Sequence, residues 1–301
     1  MGDHDPAEVV RGMVAAHLPG YRVDSVVWSG EGYDNVAYEV NGELIVRFSK
    51  EADPAERAAR VDHEARLLAA VARISPLPVP EPRFTVAERG CLAYAKVPGL
   101  PLLDMPHPRR LAHGVPIAAT LGELLSAVHA VPVGRMSDLV ETDDHPLSEW
   151  RREAAEIYGT VAGEVPAEHR PAVEAFLNAP PPDGEYAPVF SHNDLGIEHV
   201  LVDPVTWEVT GVIDWSDAAI TDPAYDFGLI HRDLGPAALD AAVHGYRTGT
   251  GDSASLRERA VFYARCSIFE DLAYGLETGQ DRYTGKSLAS LEWLFPAEVP
   301  R

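Results

Sequence analysis

The sequence has few cysteines and few basic residues. Only two of its 301 residues are cysteines, Cys91 and Cys266. Two distant thiols provide neither a disulfide framework nor a set of zinc ligands, which favours a cytoplasmic protein with reduced thiols. The 25 lysines and arginines are outnumbered by 47 acidic residues, which gives a net charge of −22. Because such a chain repels nucleic acid and anionic membranes, we expect neither as a partner.

Signals for membrane insertion and export are scarce as well. No apolar run is predicted to reach membrane-spanning length, which is about 20 residues. The N-terminal stretch MGDHDPAEVVRGMV is acidic and has neither the basic start nor the apolar centre of a signal peptide. These features predict a cytoplasmic protein, which we expect to be a monomer. The acidic excess itself has two interpretations: a solubilising surface, or carboxylates that face a polycationic ligand.

The first hundred residues favour strands, and the remainder of the chain favours helices. The segments VAYEV and ELIVRF flank an Asn-Gly pair at 41–42, which is typical of a type I′ hairpin turn. A two-residue turn would place Val36 opposite Arg47. The strand CLAYAKV is followed by the linker PGLPLL, so we predict an N-terminal lobe at 1–97 and a C-terminal lobe at 98–301.

A helix is predicted soon after this hairpin, and one acidic residue borders its apolar face. Asp53 suits the N-cap of the helix, and Pro54 suits its first turn. Val61 and Leu68 belong to its apolar stripe. Glu64 borders this stripe, where a carboxylate is costly unless a cation meets it. Glu64 therefore either reaches solvent at the edge of the buried face or pairs with a cation.

Arg47 is the candidate cation for Glu64. It occupies an interior strand position, across from the start of the preceding strand and beside the segment SGEGYDN. Gly30 and Gly32 in that segment allow close approach of a ligand, and backbone amides there can bind phosphate. A cation under such a loop, tied to a helix carboxylate, is the arrangement that positions nucleotide phosphates in kinases.

Asp194 and His199 lie five positions apart in the stretch SHNDLGIEHVLVD, which leads into a strand. In the kinase pattern, a carboxylate accepts the proton of the acceptor hydroxyl and is followed five residues later by a metal ligand. A further acid is expected at the end of the next hairpin, where TGVIDW contains Asp214. Two alternatives remain: a metallohydrolase site in which His192 joins these three residues, and a purely structural role. A hydrolase site would need more histidine ligands and would leave the arginine–glutamate pair unexplained.

With these elements in this order, the sequence resembles the aminoglycoside phosphotransferase family, a branch of the protein-kinase-like fold. The matching segments are SGEGYDN, IVRF, HEARLL, LLSAVHA, SHNDLGIEHVLVD, TGVIDWSDA and DPAYDF, and they run from residue 29 to residue 227. The resemblance implies an α+β fold, with a β-rich N-terminal lobe containing one long helix and a mostly helical C-terminal lobe. It also implies an Mg²⁺-dependent enzyme that transfers phosphate from ATP or GTP to a hydroxyl group.

The resemblance further implies roles for individual residues. Asp194 would be the catalytic base, and the magnesium ligands would be His199 and Asp214. The nucleotide would be bound by the phosphate-positioning pair Arg47 and Glu64, by Gly30 and Gly32, and by the backbone of Ala95 and Val97 between the lobes. Asp226 would brace the loop that contains the base. For His192, independently of the resemblance, we expect a structural role that orients this loop.

Two of these residues depart from the commonest pattern of the family. Most members have asparagine where this chain has His199, and most have lysine where it has Arg47. Histidine at this position resembles the 2″-aminoglycoside and macrolide branches, and arginine resembles the macrolide branch. Neutral imidazole can still bind a metal ion, although magnesium prefers oxygen ligands.

The acceptor is expected against the C-terminal lobe and is predicted to be a cationic small molecule. Carboxylates that could bind a polyamine sugar through charge-assisted hydrogen bonds are Asp217, Asp233, Glu270, Asp271 and Glu277. Aromatic walls for a macrolide could be Phe269, Tyr274 and Trp293, unless these side chains belong to the core. The first prediction is therefore an aminoglycoside kinase, followed by a macrolide kinase and a choline- or homoserine-type metabolite kinase. A catalytically inactive kinase-like binding protein is the alternative from a different class.

Overall fold

Strands fill much of the first hundred residues, and helices fill most of the remainder. The computed structural model describes residues 5–32, 34–183, 185–247 and 253–297. The chain divides into an N-terminal unit, formed by Met1–Pro98 and Gly211–Ser216, and a C-terminal unit, formed by Gly99–Thr210 and Asp217–Arg301. The predicted α+β fold class is confirmed.

The N-terminal unit is built on a five-stranded antiparallel sheet with the strand order β1-β2-β3-β5-β4. Its elements are α1 (Pro6–His17), β1 (Val26–Glu31), β2 (Asn35–Val40), β3 (Leu44–Ser49), α2 (Pro54–Val71), β4 (Glu81–Val86) and β5 (Cys91–Ala95). Val10, Met13 and Val14 of α1 are buried against the apolar side chains of the sheet. Burial of this apolar stripe attaches α1 to the unit, since isolated helices of this length are marginal in water.

The hairpin between β2 and β3 turns at 41–42 as predicted, but its register differs from the prediction by one residue. Both turn residues have positive φ, 54° and 75°, as a type I′ turn requires. Arg47 lies opposite Ala37, not opposite Val36. Glu43 is the additional loop residue, and its carbonyl accepts a hydrogen bond of 2.8 Å from a backbone amide that follows β5. This contact comes from a distant segment, so the pattern of the two strands alone did not predict it.

Helix α2 begins and packs as predicted. The Asp53 carboxylate accepts hydrogen bonds from the amides of Ala55 and Glu56, at 2.8 and 3.0 Å. Such a cap supplies acceptors for amides that have no partner within the helix. Val61 and Leu68 are buried, each with 3% of its surface exposed. The long helix predicted for the N-terminal lobe is therefore present.

The C-terminal unit is mostly helical, with short strands around the functional segments. Its elements are β6 (Leu100–Pro101), α3 (His107–His129), α4 (Leu147–Val161), α5 (Arg170–Asn178), β7 (Val189–Ser191), β8 (Val200–Val202), β9 (Val209–Val212), β10 (Ala219–Thr221), α6 (Ala224–Leu234), α7 (Pro236–Gly245), α8 (Ser253–Thr278) and α9 (Asp281–Leu294). The last two residues of β9 belong to the N-terminal unit. Strand β7 pairs with β10, and β6 pairs with β8, both antiparallel. Helix α8 packs against α4, α6 and α9, and α3 packs against α7.

Helix α3 meets the length and composition requirements for crossing a membrane, so the prediction that no run does so was wrong. Its apolar side chains are nevertheless used inside the protein. Ile117, Leu121 and Leu125 are almost completely buried. A Cβ atom at Gly122 would collide with the backbone of Ala242 in α7, which shows how closely the two helices approach. These contacts are those of a helix packed in the core of the C-terminal unit.

Candidate active site

Arg47 and Glu64 form an ion pair between β3 and α2. The guanidinium Nη2 of Arg47 lies 2.6 Å from Oε1 of Glu64, and the side chains are only 17% and 22% exposed. Burial raises the pKa of Glu64, and the charge of Asp214 raises it further, while Arg47 lowers it. The pair therefore places a fixed cation beside the sheet of the N-terminal unit. Tyr94 of β5, whose ring lies 5.9 Å from the guanidinium carbon, is a neighbour that the sequence did not predict.

Asp214 belongs to the same unit as this pair. Its backbone has a φ of 63°, an unusual conformation for a residue other than glycine. The hydroxyl of Ser216 donates a hydrogen bond of 2.8 Å to Oδ1 of Asp214. The charge of Asp214 acts on both Arg47 and Glu64, so it lies within electrostatic range of the ion pair.

The glycine-containing segment at the end of β1 is open. A Cβ atom at Gly30 or Gly32 would meet nothing within 4 Å, and neither residue has a positive φ. The protein's own packing therefore does not require glycine at these positions, which is consistent with space kept for a ligand. Lys50, which the sequence did not predict, donates a hydrogen bond of 2.6 Å to the carbonyl of Gly32. Tyr33, in the same segment, lies outside the described residues.

Ala95 and Val97 lie at the end of the N-terminal unit. Ala95 is the last residue of β5 and pairs with Leu44 of β3 and Glu81 of β4. Val97 is buried, and Gly211 leaves the room that its side chain occupies. The contacts of their backbone with a nucleotide base remain a prediction.

Asp194 and His199 lie together in the loop 192–199, which joins β7 to β8. Nδ1 of His199 lies 2.8 Å from the carbonyl oxygen of Asp194 and 3.2 Å from its Oδ2. Since a carbonyl only accepts, Nδ1 is the protonated nitrogen, and the lone pair of the neutral ring is on Nε2. The pKa of Asp194 is raised to about 7, mainly by burial; the charge of His199 lowers it, and the charges of Glu198 and Asp217 contribute to the increase.

Asp226 supports this loop through hydrogen bonds. Its Oδ2 accepts hydrogen bonds from the hydroxyl of Ser191 at 2.5 Å and from the amide of His192 at 3.0 Å. The amide of Asp194 donates in turn to Nδ1 of His192, at 3.2 Å. Asp226 and His192 are both completely buried. In this structure Asp226 therefore supports the loop through hydrogen bonds, and His192 accepts one from the amide of Asp194; what either residue contributes to catalysis remains a prediction.

The carboxylates predicted to bind the acceptor differ in their exposure to solvent. Asp217 and Glu270 are exposed. Burial of part of its carboxyl raises the pKa of Glu270, and the charges of Asp271 and Asp217 raise it further. The charge of Asp217 also acts on Asp194, so Asp217 lies close enough to the loop to affect its charge. Glu277 is exposed as well.

Asp233 and Asp271 are instead engaged with cations of the protein. Asp233 contacts Nε of Arg232 at 2.9 Å, and Asp271 contacts Nη1 of Arg232 at 3.1 Å and Nζ of Lys286 at 2.8 Å. The side chain of Asp233 is 1% exposed and that of Asp271 is 14% exposed. A role for Asp233 as an acceptor ligand therefore conflicts with its burial. The prediction that Phe269 could form an aromatic wall for a macrolide was also wrong, because Phe269 is a core residue with 0% exposure.

The residues present suit a magnesium site of the kinase type better than a hydrolase centre. In the described part of the chain, no three histidine, cysteine, aspartate or glutamate side chains are grouped so that they could hold a metal ion. A zinc hydrolase needs three protein ligands, whereas Mg²⁺ in phosphotransferases is bound by one or two carboxylates together with the phosphates. Asp214 in the N-terminal unit is a carboxylate of this kind, and His199 in the C-terminal unit carries an imidazole nitrogen; that the two residues bind one magnesium ion remains a prediction.

Comparison with known proteins extends over most of the chain. A family model described as "Phosphotransferase enzyme family" matches residues 29–262. The aminoglycoside 3'-phosphotransferase of Streptomyces fradiae is 31% identical over 206 residues, which cover 62% of this chain and 71% of that protein. A match to the uncharacterized protein YcbJ of Bacillus subtilis, 30% identical over 113 residues, covers 36% of this chain and 37% of YcbJ.

Solved structures show the same fold. The GDP complex of wild-type aminoglycoside 2'-phosphotransferase-IIIa has a TM-score of 0.68 and 22% identity, covering 96% of this chain and 98% of that one. The macrolide 2'-phosphotransferase MphH from Brachybacterium faecium has a TM-score of 0.62 and 25% identity, covering 98% and 99%. The predicted kinase-like fold and family resemblance are confirmed. The chain belongs to the phosphotransferase enzyme family, and it is a kinase-type phosphotransferase.

Proposed function

We propose that this protein transfers the γ-phosphate of ATP or GTP to a hydroxyl group of an aminoglycoside-type antibiotic. The observation that supports this most directly is the pairing of Asp194 with His199 in a loop braced by Asp226. A carboxylate with a raised pKa beside a metal-binding imidazole suits a base that must accept a proton near neutral pH. The family of the chain supports the same reaction type.

Asp194 is the proposed general base. Its carboxylate accepts the proton of the acceptor hydroxyl as the new bond between oxygen and the γ-phosphorus forms. The bond between the γ-phosphorus and the bridging oxygen breaks at the same time, and its electron pair leaves with the nucleoside diphosphate. In this reaction class the protein acts mainly by positioning and by electrostatic stabilisation. His199 contributes by holding Asp194 through the backbone contact at 2.8 Å.

The N-terminal unit supplies the proposed nucleotide contacts. Arg47, fixed by Glu64 at 2.6 Å, would bind the phosphates, and the open backbone at Gly30 and Gly32 would lie over them. Asp214 and His199 would hold Mg²⁺, which neutralises the charge that develops on the phosphates. The GDP bound to the structurally similar 2'-phosphotransferase supports a guanine nucleotide as one donor to test.

Aminoglycosides are proposed first as acceptors because of the Streptomyces fradiae relative and the exposed carboxylates Asp217 and Glu270. Amines of the acceptor would form charge-assisted hydrogen bonds with such groups. A macrolide is the second candidate, supported by Arg47 and His199 and by the likeness to MphH. We also propose that the protein is a cytoplasmic monomer and that it contributes to antibiotic resistance.

A coupled phosphotransfer assay tests this proposal. ATP and GTP would each be offered with aminoglycosides, macrolides and small amino alcohols, in the presence of Mg²⁺. We expect turnover on aminoglycosides that is lost in Asp194→Asn. Turnover only on macrolides or only on amino alcohols would show that the acceptor belongs to that class and is not an aminoglycoside. Absence of both turnover and nucleotide binding would favour an inactive kinase-like binding protein.

A further inference from the structure

Lys286 is a buried cation that the proposed reaction does not use directly. It belongs to α9, which lies beyond the residues matched by the family. Its side chain is 2% exposed, and its Nζ lies 2.9 Å from Oε2 of Glu198 and 2.8 Å from Oδ2 of Asp271. A lysine is almost never buried without a charged partner. Glu198 immediately precedes His199, so the ammonium group of Lys286 connects α9 to the loop 192–199.

The loop 192–199 has a second contact with the group of buried charges around Lys286. Asp233 lies 3.5 Å from Nζ of Lys286, and its Oδ2 accepts a hydrogen bond of 3.2 Å from the amide of Ile197. Burial opposes ionisation of this group, but the charges of Arg232 and Lys286 hold the pKa of Asp233 well below its usual range. Two consecutive loop residues therefore contact these buried charges: Ile197 donates its amide to Asp233, and Glu198 pairs with Lys286 through its side chain.

The loop itself is shaped to keep Glu198 in this position. A Cβ atom at Gly196 would lie 2.7 Å from the carboxyl atoms of Glu198, so the carboxylate folds back over the glycine. The amide of His199 donates to the carbonyl of Gly196 at 3.0 Å. Displacing Glu198 would therefore disturb the turn that sets the position of His199.

We propose that Lys286 is a positioning residue for phosphotransfer, acting through Glu198 and Asp233 on the loop that contains Asp194 and His199. This inference rests on the proposed function. A lysine in a buried, hydrogen-bonded cluster fixes the loop more rigidly than a solvated surface pair, because solvent and salt screen exposed charges. Turnover depends on this positioning, since a displacement of about 1 Å can reduce a rate by about 10²-fold.

The test compares Lys286→Met with a matched surface variant on the same helix. Arg282→Met removes an exposed ion pair, in which Nη1 lies 2.8 Å from Oδ1 of Asp104. We expect Lys286→Met to lower kcat by about 10- to 10²-fold and to leave the Kd for ATP or GTP within about twofold. Arg282→Met should change neither quantity. Turnover is expressed per folded molecule, with the folded fraction measured by circular dichroism.

Glu198→Gln and the double variant with Lys286→Met show whether the lysine acts through Glu198. We expect each single variant to lower kcat and the double variant to lower it by clearly less than the product of the two effects, as coupled residues do. Multiplicative losses would overturn the proposed route through Glu198. A loss of turnover in Lys286→Met that only follows the folded fraction would overturn the positioning role.

Hydrogen exchange distinguishes failure of this inference from failure of the proposed function. The amide of Ile197 should exchange faster in Lys286→Met than in the unsubstituted protein or in Arg282→Met, because its acceptor Asp233 loses a cation. Unchanged exchange would overturn the inference. An unsubstituted protein without phosphotransfer on any acceptor would overturn the proposed function, whereas exchange at Ile197 would still report whether Lys286 holds the loop.

Discussion

His129 of α3 and Ser191 of β7, which are 62 positions apart in the chain, lie 3.0 Å apart between Nε2 and Oγ. The hydroxyl of Ser191 donates to Asp226 at 2.5 Å, so it must accept the hydrogen of Nε2. Nδ1 of His129 then accepts from the hydroxyl of Tyr246, at 3.0 Å. Burial favours the neutral form of this histidine, and the chain of hydrogen bonds ends on the carboxylate that braces the loop containing Asp194.

The neutral state of His129 predicts a loss of stability in mild acid. Burial lowers the pKa of His129 from an ordinary 6.5 to about 3. Between these values the unfolded chain binds a proton that the folded chain does not, so the free energy of unfolding falls as the pH drops below 6.5, by up to about 1.4 kcal/mol per pH unit. Urea unfolding at several pH values should show a steeper loss for the unsubstituted protein than for His129→Gln, and equal slopes would contradict this.

Asp194→Asn should slow phosphotransfer by about 10²-fold or more, the scale expected for loss of a general base. The substitution keeps the size of the side chain and the backbone carbonyl that contacts His199. Folding and the Kd for nucleotide should therefore stay unchanged. Steady-state kinetics with calorimetric nucleotide binding would measure both, and an unchanged kcat would remove Asp194 from the role of base.

Arg47→Met should weaken nucleotide binding by about tenfold or more, since a phosphate contact assisted by charge is lost. It should also lower the free energy of unfolding, because Glu64 would keep a mostly buried charge without its partner. Arg47→Lys should keep part of the affinity because it retains the charge. Arg83→Met, which removes an exposed ion pair with Glu81 on β4, is the control and should change neither quantity. Equal Kd values for Arg47→Met and this control would exclude a phosphate contact.

Local sequence signals predicted the elements whose partners are close in the chain. Asp53 caps α2 through amides two and three positions later, and the pair of Asp194 and His199 forms within one loop. The strand and helix content followed from periodicity in the same way, and the family motifs fixed the fold class. These features were predictable because their geometry depends on a few neighbouring residues.

Distant contacts limited the remaining predictions. Asp233 was expected to bind an acceptor because the local sequence shows neither its burial nor its contact with Lys286, which lies 53 positions away in the chain. The hairpin register depended on a contact of Glu43 beyond β5. His129 was noted only as part of the segment LLSAVHA, since its link to Ser191 exists only in the folded unit.

Asp217 and Asp233 should respond differently to neutralisation, although both were predicted to bind the acceptor. Asp217 is exposed near Asp194, so Asp217→Asn should raise the KM for an aminoglycoside by about tenfold through loss of one charge-assisted hydrogen bond, with unchanged stability. Asp233→Asn should instead destabilise the fold, because it leaves Arg232 and Lys286 with fewer counter-charges in a buried site. Thermal unfolding and KM measured on both variants would separate these roles, and a raised KM without destabilisation in Asp233→Asn would restore it as an acceptor ligand.

His199→Asn should change the metal preference of the enzyme. The amide oxygen of asparagine suits Mg²⁺, whereas an imidazole nitrogen suits transition metals. Mn²⁺ shares the oxygen ligands of Mg²⁺ but accepts a nitrogen ligand more readily than Mg²⁺ does. In the unsubstituted protein the lone pair of the neutral ring is on Nε2, because Nδ1 donates to the carbonyl of Asp194 at 2.8 Å. We therefore expect the ratio of turnover with Mn²⁺ to turnover with Mg²⁺ to fall in His199→Asn. Electron paramagnetic resonance of bound Mn²⁺ in the presence of nucleotide should lose its nitrogen coupling in this variant. An unchanged ratio together with an unchanged spectrum would show that His199 is not a metal ligand and that its contact with Asp194 is its contribution to the loop.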